Sequence, residues 1–349
     1  MFLGIRDILH ARGRFALIGT VVGLITVLLV MLTGLTGGLG AQNTSALRAL
    51  NPDRYVFTSP EPSFTDSAVS PADLAAWAGI DGVTDVAPVG FTQTRMEAAA
   101  ASAVTVVGLP AGHPVPGGGS IPAGGAVLSE SLVDAPLDAV TLGGTTVPVA
   151  GTAPDEYHSH SPVVWVDTRT WQAVSRSPQD VLGTVLAVNG GLDSAGWEAA
   201  AAGTGTTATT VSDSFAGLAA YQSEQGSLRT MQGFLYAISA LVTVSFLTVW
   251  TIQRTRDLAI LRALGASPRY LVTDALGQAA LILAAGVSVG ALAGWGLGVV
   301  AGQAVPFLLT VGTVFYPALG IWALGIVGAF LTTRRVAGID PLTALGGNG

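Results

Sequence analysis

The sequence predicts a membrane α-helical protein with four transmembrane helices per protomer and an α+β extracellular domain inserted between the first and the second. Three observations predict it. First, no charged residue occurs over residues 15–47, 230–253 or 275–333, and each stretch is rich in Leu, Val, Ile, Ala and Gly. A helix needs about 20 mostly apolar residues to cross a hydrocarbon core roughly 30 Å thick. The first two stretches hold one span each, and the third, 59 residues long, holds two. Second, 11% of the 349 residues are charged and half are apolar, against roughly 25% charged in an ordinary soluble domain. Third, lysine is absent and nine of the 15 Arg cluster in short segments: Arg6, Arg12 and Arg14; Arg254, Arg256, Arg262 and Arg269; Arg334 and Arg335.

Short loops rich in positive charge mark the cytoplasmic side. Both termini are therefore expected inside a plasma-membrane, multi-pass protein, with residues 36–229 outside. That segment holds 18 Asp/Glu against six Arg, so the acidity of the chain, net −7, belongs to it. Such a surface argues against nucleic acid as a partner; it leaves the lipid bilayer as one.

In chain order, residues 1–14 read as a cytoplasmic interfacial helix with Phe2, Ile5 and Leu9 on one face. Span one occupies 15–36. Arg14 ahead of it and Gly40-Ala41 behind imitate a secretion signal, but the apolar run exceeds the roughly 7–15 residues of a signal core. The extracellular domain with its stalk occupies 37–228. Strand-like runs at 54–58, 103–108, 125–128, 140–149, 163–166 and 181–188 alternate with Gly, Pro, Asn and Asp clusters. Helices are predicted at 71–78, with Ser70 as cap and Pro71 in the first turn, and at 194–202. From about Ser212 the pattern becomes helical and runs without a strong break into span two, 229–253. A cytoplasmic coupling helix at 254–274 follows, then spans three and four at 275–300 and 312–333. The loop 301–311 parts them, Pro306 opposing continued helix, and 334–349 is a cytoplasmic tail. Glycines 286, 290, 294, 298 and 302 line one face of span three, and Gly19/Gly23 and Gly34/Gly38 pair on span one; both patterns predict close helix packing.

Catalytic chemistry is thin. The chain has no cysteine, hence no disulfide and no thiolate metal site. His158 and His160 alternate near Asp155 and Glu156, a set able to hold a metal; between Pro154 and Pro162 they read instead as a polar surface loop. Gly117, Gly118 and Gly119 lie in a Pro-rich loop, which does not make a phosphate cradle. The G-x-S-x-G string from Gly286 to Gly290 falls inside span three, whereas a nucleophile elbow needs a strand-to-helix turn. No catalytic residue, metal or intrinsic cofactor is predicted.

The most specific segment runs from Arg254 to Pro268, RTRDLAILRALGASP. Leu258, Leu261 and Leu264 recur at three-residue spacing, Gly265 can close the helix and Pro268 enforces a stop. By itself this is a short amphipathic helix under the membrane. It resembles the signature of MacB/FtsX-type ABC transporter permeases, whose coupling helix docks into a groove of an ATPase partner. The tail from Arg335 to Leu345, RVAGIDPLTAL, is similar to that family's closing motif. The resemblance implies Arg254, Arg256, Asp257, Ile260, Leu261, Arg262 and Leu264 as ATPase-coupling residues, a permease homodimer, and an ABC ATPase dimer holding ATP and Mg. MacB itself carries a fused nucleotide-binding domain, and here the sequence departs from it. A Walker A loop needs Lys to reach the β/γ-phosphates, and there is none. The chain is expected to be a non-catalytic subunit worked by a separate ATPase.

Around the outer end of span two, Arg229, Gln232, Gly233 and Tyr236 fall on one helical face. Tyr221 and Glu224 precede them, Met231 lies on a neighbouring row, and Met31 lies near the outer end of span one. One reading is an interfacial Tyr and Arg reaching for headgroups. The other is an amphiphile site between spans one and two, made of Met31, Tyr221, Glu224, Arg229, Met231, Gln232 and Tyr236. Haem suits such a site physically: a flat apolar ring, an iron that accepts Tyr or Met, and propionates that pair with Arg. The opening stretch and four-pass design are similar to those of HrtB-type haem-exporter permeases, which implies haem as a transported ligand. Alternatives are an FtsX-like subunit that activates a cell-wall hydrolase, and an exporter of antimicrobial peptide or lipoprotein.

Overall fold

The computed structural model describes residues 12–98, 100–253 and 267–336. Residues 1–11 of the interfacial helix expected over 1–14, the coupling residues Arg254 to Leu264 and the tail from residue 337 lie outside the described residues, whereas 12–14 belong to the first long helix. The chain forms two compact units, Met1–Gly38 with Gly226–Gly349, and Leu39–Gln225.

Helix α1 runs over Arg12–Leu50, well past the expected end of span one. In the inserted unit, helix α2 (Pro71–Ala78) starts as expected. The Ser70 side chain accepts the Asp73 N–H, and Asp73 reciprocates on the Ser70 N–H, a capping box. Helices α3 (Thr168–Ser175) and α4 (Ser194–Thr204) are capped by Asp167 and Asp193. Helix α5 is the single turn Val211–Ser214. A 3₁₀ turn at Phe215–Gly217 and an extended Leu218 separate it from helix α6, Ala219–Gln253. The helical run expected from Ser212 is thus broken at 215–218, where Phe215 and Leu218 turn into the core. Helix α7 (Pro268–Ala301) begins with Ser267 as cap, so Pro268 occupies the first turn of the next helix, where its missing N–H costs nothing. Helix α8 is Val311–Val336.

Ten strands form the inserted unit's sheet, in the order β10-β1-β9-β2-β3-β8-β4-β6-β5 with β7 paired to β8. They are β1 (Arg54–Phe57), β2 (Val83–Glu97), β3 (Ala101–Leu109), β4 (Ala126–Ser129), β5 (Ala139–Leu142), β6 (Thr145–Ala153), β7 (Tyr157–His158), β8 (Ser161–Asp167), β9 (Val185–Gly190) and β10 (Thr207–Thr209). The run expected at 140–149 is a hairpin folded at Gly143-Gly144, both with positive φ, as a two-residue turn requires. β2 pairs β9 with its first half and β3 with its second, and its end meets β5 at Met96↔Leu142. That last pairing closes β2, β3, β8, β4, β6 and β5 into a ring around Met96, Val106, Leu128, Leu142 and Val164. On the β1–β9 side, Trp77 of α2 stacks on Trp197 of α4 at 6.2 Å over Val56 and Leu186.

In the membrane unit, three helices among the described residues are long and apolar enough to cross a membrane: Ala16–Leu50, Val272–Ala301 and Val311–Thr333. The glycine stripe of α7 meets α1 as expected, Gly286 against the Gly19 carbonyl and Gly290 against Gly23. Gly34 and Gly38 differ from expectation. They receive no helix but the α7–α8 loop, with the Phe307 ring against Gly34, the Pro306 carbonyl against Gly38, and the Leu308 N–H donating to the Gly34 carbonyl at 2.9 Å.

Candidate functional site

Helix α6 carries most of the residues expected to bind an amphiphile, and the structure sorts them. Gln232 donates from Nε2 to Thr36 Oγ1 of α1 at 3.2 Å. Tyr236 packs into the membrane-unit core, its ring against Gly320 of α8. Met31 on α1 is half-buried, while Arg229 and Met231 are exposed. Two apolar grooves lie elsewhere in this unit: one of about 660 Å³ between α7 and α8, lined by Trp295, Phe315 and Trp322, and one of about 550 Å³ along the α1–α7 glycine seam. Neither is lined by Met31, Met231, Gln232 or Tyr236.

Tyr221 and Glu224 belong to the inserted unit. Tyr221 stands edge-on to Phe215 at 5.5 Å and packs against its core. Glu224 closes a polar clasp. Its carboxylate lies 2.9 Å from His160 Nε2 and accepts from Asn43 Nδ2 at 3.0 Å, and Asn43 Nδ2 is itself 3.0 Å from the His160 ring. Asn43 is fully buried and its Oδ1 has no hydrogen-bond partner among the described residues. The turn after β7 holds α1 from the other side. Ser159 and His160, both with positive φ, donate their N–H groups to the Asn43 and Gln42 carbonyls, and the Tyr157 N–H donates to Ser45 Oγ at 2.7 Å. Left-handed backbone at two successive non-glycine residues is strained, and these bonds to α1 maintain it. Sequence reasoning missed the clasp because Asn43, His160 and Glu224 are far apart in the chain and share no motif.

His158 corrects the surface-loop reading. The ring is 4% exposed and lies flat on Phe91, centroids 4.5 Å apart. Burial lowers its pKa from 6.5 to about 4, so it is neutral at physiological pH. His158 and His160 do not share a strand face, because β7 ends at His158 and the chain turns. Among the described residues no group of three or more His, Asp or Glu is placed to hold a metal. Asp155 instead accepts the Ser131 N–H at 2.8 Å.

Residues 230–341 match the family model described as FtsX-like permease C-terminal. Over 357 residues, covering 99% of each chain, the protein is 24% identical to a Staphylococcus epidermidis protein named as the hemin transport system permease HrtB. A HrtB of Staphylococcus haemolyticus is 32% identical over 130 residues, 37% of each chain. An uncharacterised ABC transporter permease of Mycobacterium bovis is 23% identical over 99% of each chain. Among solved structures, the extracellular domain of the ABC-type transporter YknZ from Gram-positive bacteria covers 45% of this chain and 96% of its own, with 15% identity and a TM-score of 0.34. Residues 230–341 thus carry an FtsX-like permease domain, and the chain is similar along its length to ABC transporter permeases.

Proposed function

We propose that this chain is the membrane subunit of an ABC efflux pump that takes haem, or a similar hydrophobic amphiphile, out of the bilayer, worked by a partner ATPase dimer. The observation that carries this reading is the correspondence with a hemin permease along 99% of both chains. In this scheme α6 is the fourth membrane crossing, since residues 230–253 hold no charge, and the Arg distribution sets the inserted unit outside with both termini in the cytoplasm. The lysine-free sequence has no Walker A loop, so the chain is non-catalytic and ATP with Mg is bound on the partner.

Two copies pair through α6. Met231, Phe234, Ile238 and Leu241 are exposed at alternating three- and four-residue steps, and a Cβ on Gly226 or Gly233 would meet nothing within 4 Å; such a seam suits a second helix. Arg229 pairs with a propionate, Tyr236 and Met31 or Met231 face the iron, and Gln232 lines the site. Membrane polar groups of this kind ordinarily face protein or a cavity rather than lipid. The FtsX-like alternative calls for a docking patch outside the membrane. The large exposed apolar side chains of the described residues instead lie within residues 17–28 and 231–331, in the membrane unit.

The test is a haem titration of the purified chain with its ATPase, reading the Soret band and ATP turnover together. A Soret shift that weakens in the Met31→Ala/Tyr236→Ala variant, with turnover changed by haem, is the expected result. An unshifted band removes haem, and a shift unaffected by the double variant removes the site.

A further inference from the structure

Residues 59–68 leave the end of β1 and return beside it, making an Ω-loop. The neck is closed by Thr58 N–H donating to Ser67 Oγ at 2.9 Å and Ala68 N–H donating to Thr58 Oγ1 at 3.0 Å. The start of the loop is tied by Thr207 Oγ1, which donates to the Ser59 and Pro60 carbonyls. Phe64, in the middle, turns inward and stands edge-on to Phe57, Phe91 and His158 at 5.1, 5.2 and 5.6 Å. Compact loops of this kind with close ends are frequently functional.

The loop walls a cleft of about 1090 Å³ whose lining includes Phe91, His158 and Trp171. Neither His158 ring nitrogen nor Trp171 Nε1 has a hydrogen-bond partner among the described residues, though all three atoms are buried. A buried polar atom left unpaired destabilises the fold, and each such atom calls for a physical explanation, of which a bound partner is one. The neutral imidazole provides one bare lone pair and one N–H, and Trp171 provides a second N–H. The charged residues in the lining are Glu61 and Asp66, with no Arg among the described lining residues. Two carboxylates, aromatic rings and an unprotonated nitrogen repel an anion and attract a cation.

We propose that this cleft binds an organic cation, an amine-bearing molecule with an aromatic or apolar body and a neutral hydrogen-bond acceptor. Its ammonium donates to the free nitrogen of His158, its charge is balanced by Glu61 and Asp66, and its acceptor takes the Trp171 N–H. The body displaces the Phe64 ring as the 59–68 loop lifts. This goes beyond the haem reading and does not rest on it, since haem carries two carboxylates and is assigned to the membrane unit.

The experiment compares two xanthene dyes of similar size, cationic rhodamine 6G and anionic fluorescein, binding to the full chain in lipid nanodiscs by fluorescence anisotropy. Rhodamine 6G is expected to bind saturably and fluorescein not. Binding should weaken about tenfold in Glu61→Gln/Asp66→Asn and in His158→Phe, as expected for losing a charge-assisted hydrogen bond. The carboxamide variant alters exposed side chains, so it tests charge without disturbing the core, and His158→Phe keeps the stack on Phe91. Equal binding of both dyes, non-saturable uptake into lipid alone, or affinity unchanged in both variants overturns the proposal. A failed haem titration leaves it standing.

Discussion

His158 is an imidazole kept neutral by its surroundings, and this sets a pH dependence. Its pKa is about 4 in the folded chain and near 6.5 when solvated, so the unfolded state takes up the proton first. The stability it contributes is complete above pH 6.5 and is lost as pH falls towards 4, a total of roughly 3 kcal/mol. Thermal unfolding followed between pH 7 and pH 4.5 should show a steeper fall for the natural chain than for His158→Phe; parallel curves would sink the assignment. Trp171 gives a second test. It fills a slot made by Gly90 of β2 and Gly108 of β3, where any Cβ would overlap the indole. Gly90→Ala or Gly108→Ala is expected to cost about 1–3 kcal/mol by overpacking and to shift Trp emission, and an unaltered melting temperature with unaltered emission contradicts it.

At the scale of elements, the clasp of Asn43, His160 and Glu224 ties α1 to the start of α6. The cysteine-free background makes Asn43→Cys/Glu224→Cys a clean lock. Oxidised, the pair is expected to stop ATP-driven export in reconstituted vesicles and to release it on reduction; full export from the oxidised protein rules out relative movement of these two helices in the cycle. The glycine seam is as sensitive. Gly290→Leu should separate α7 from α1, because a Cβ there already meets the Gly23 backbone and Thr26, and should lower melting temperature and yield. Much of this was legible in the sequence. Ser70 and Pro71 announced α2, the four-residue glycine period announced a close helix contact along α7 without naming its partner, and charge-free runs announced the long helices. β2 was not legible: Asp85, Pro88 and Gly90 punctuate it, and residues 87–91 are buried without alternation, which removes the period-two signal. The α6 face was read from spacing alone, which cannot tell that Gln232 meets Thr36 while Met231 stays exposed.

For the whole molecule, the division of labour between a lysine-free permease and an ATPase has a direct test. The isolated chain is expected to show no ATP turnover, and the complex to show turnover that substrate alters. Charge reversal at Asp257 and Arg262 should lower substrate-stimulated turnover several-fold while leaving the permease folded; stimulation unchanged in both variants would remove that segment from the coupling path.

The Phe307 ring seated against Gly34, with Leu308 bonded to the Gly34 carbonyl and Pro306 pressed on Gly38, acts as a detent on the first membrane helix. A helix so notched does not slide lengthwise without first withdrawing the ring and breaking that bond. Tilting about residues 34–38 leaves both in place. If the chain works as the proposed pump, α1 is expected to rock about that notch rather than move as a piston, and filling the notch at residue 34 is the change expected to unseat the pivot.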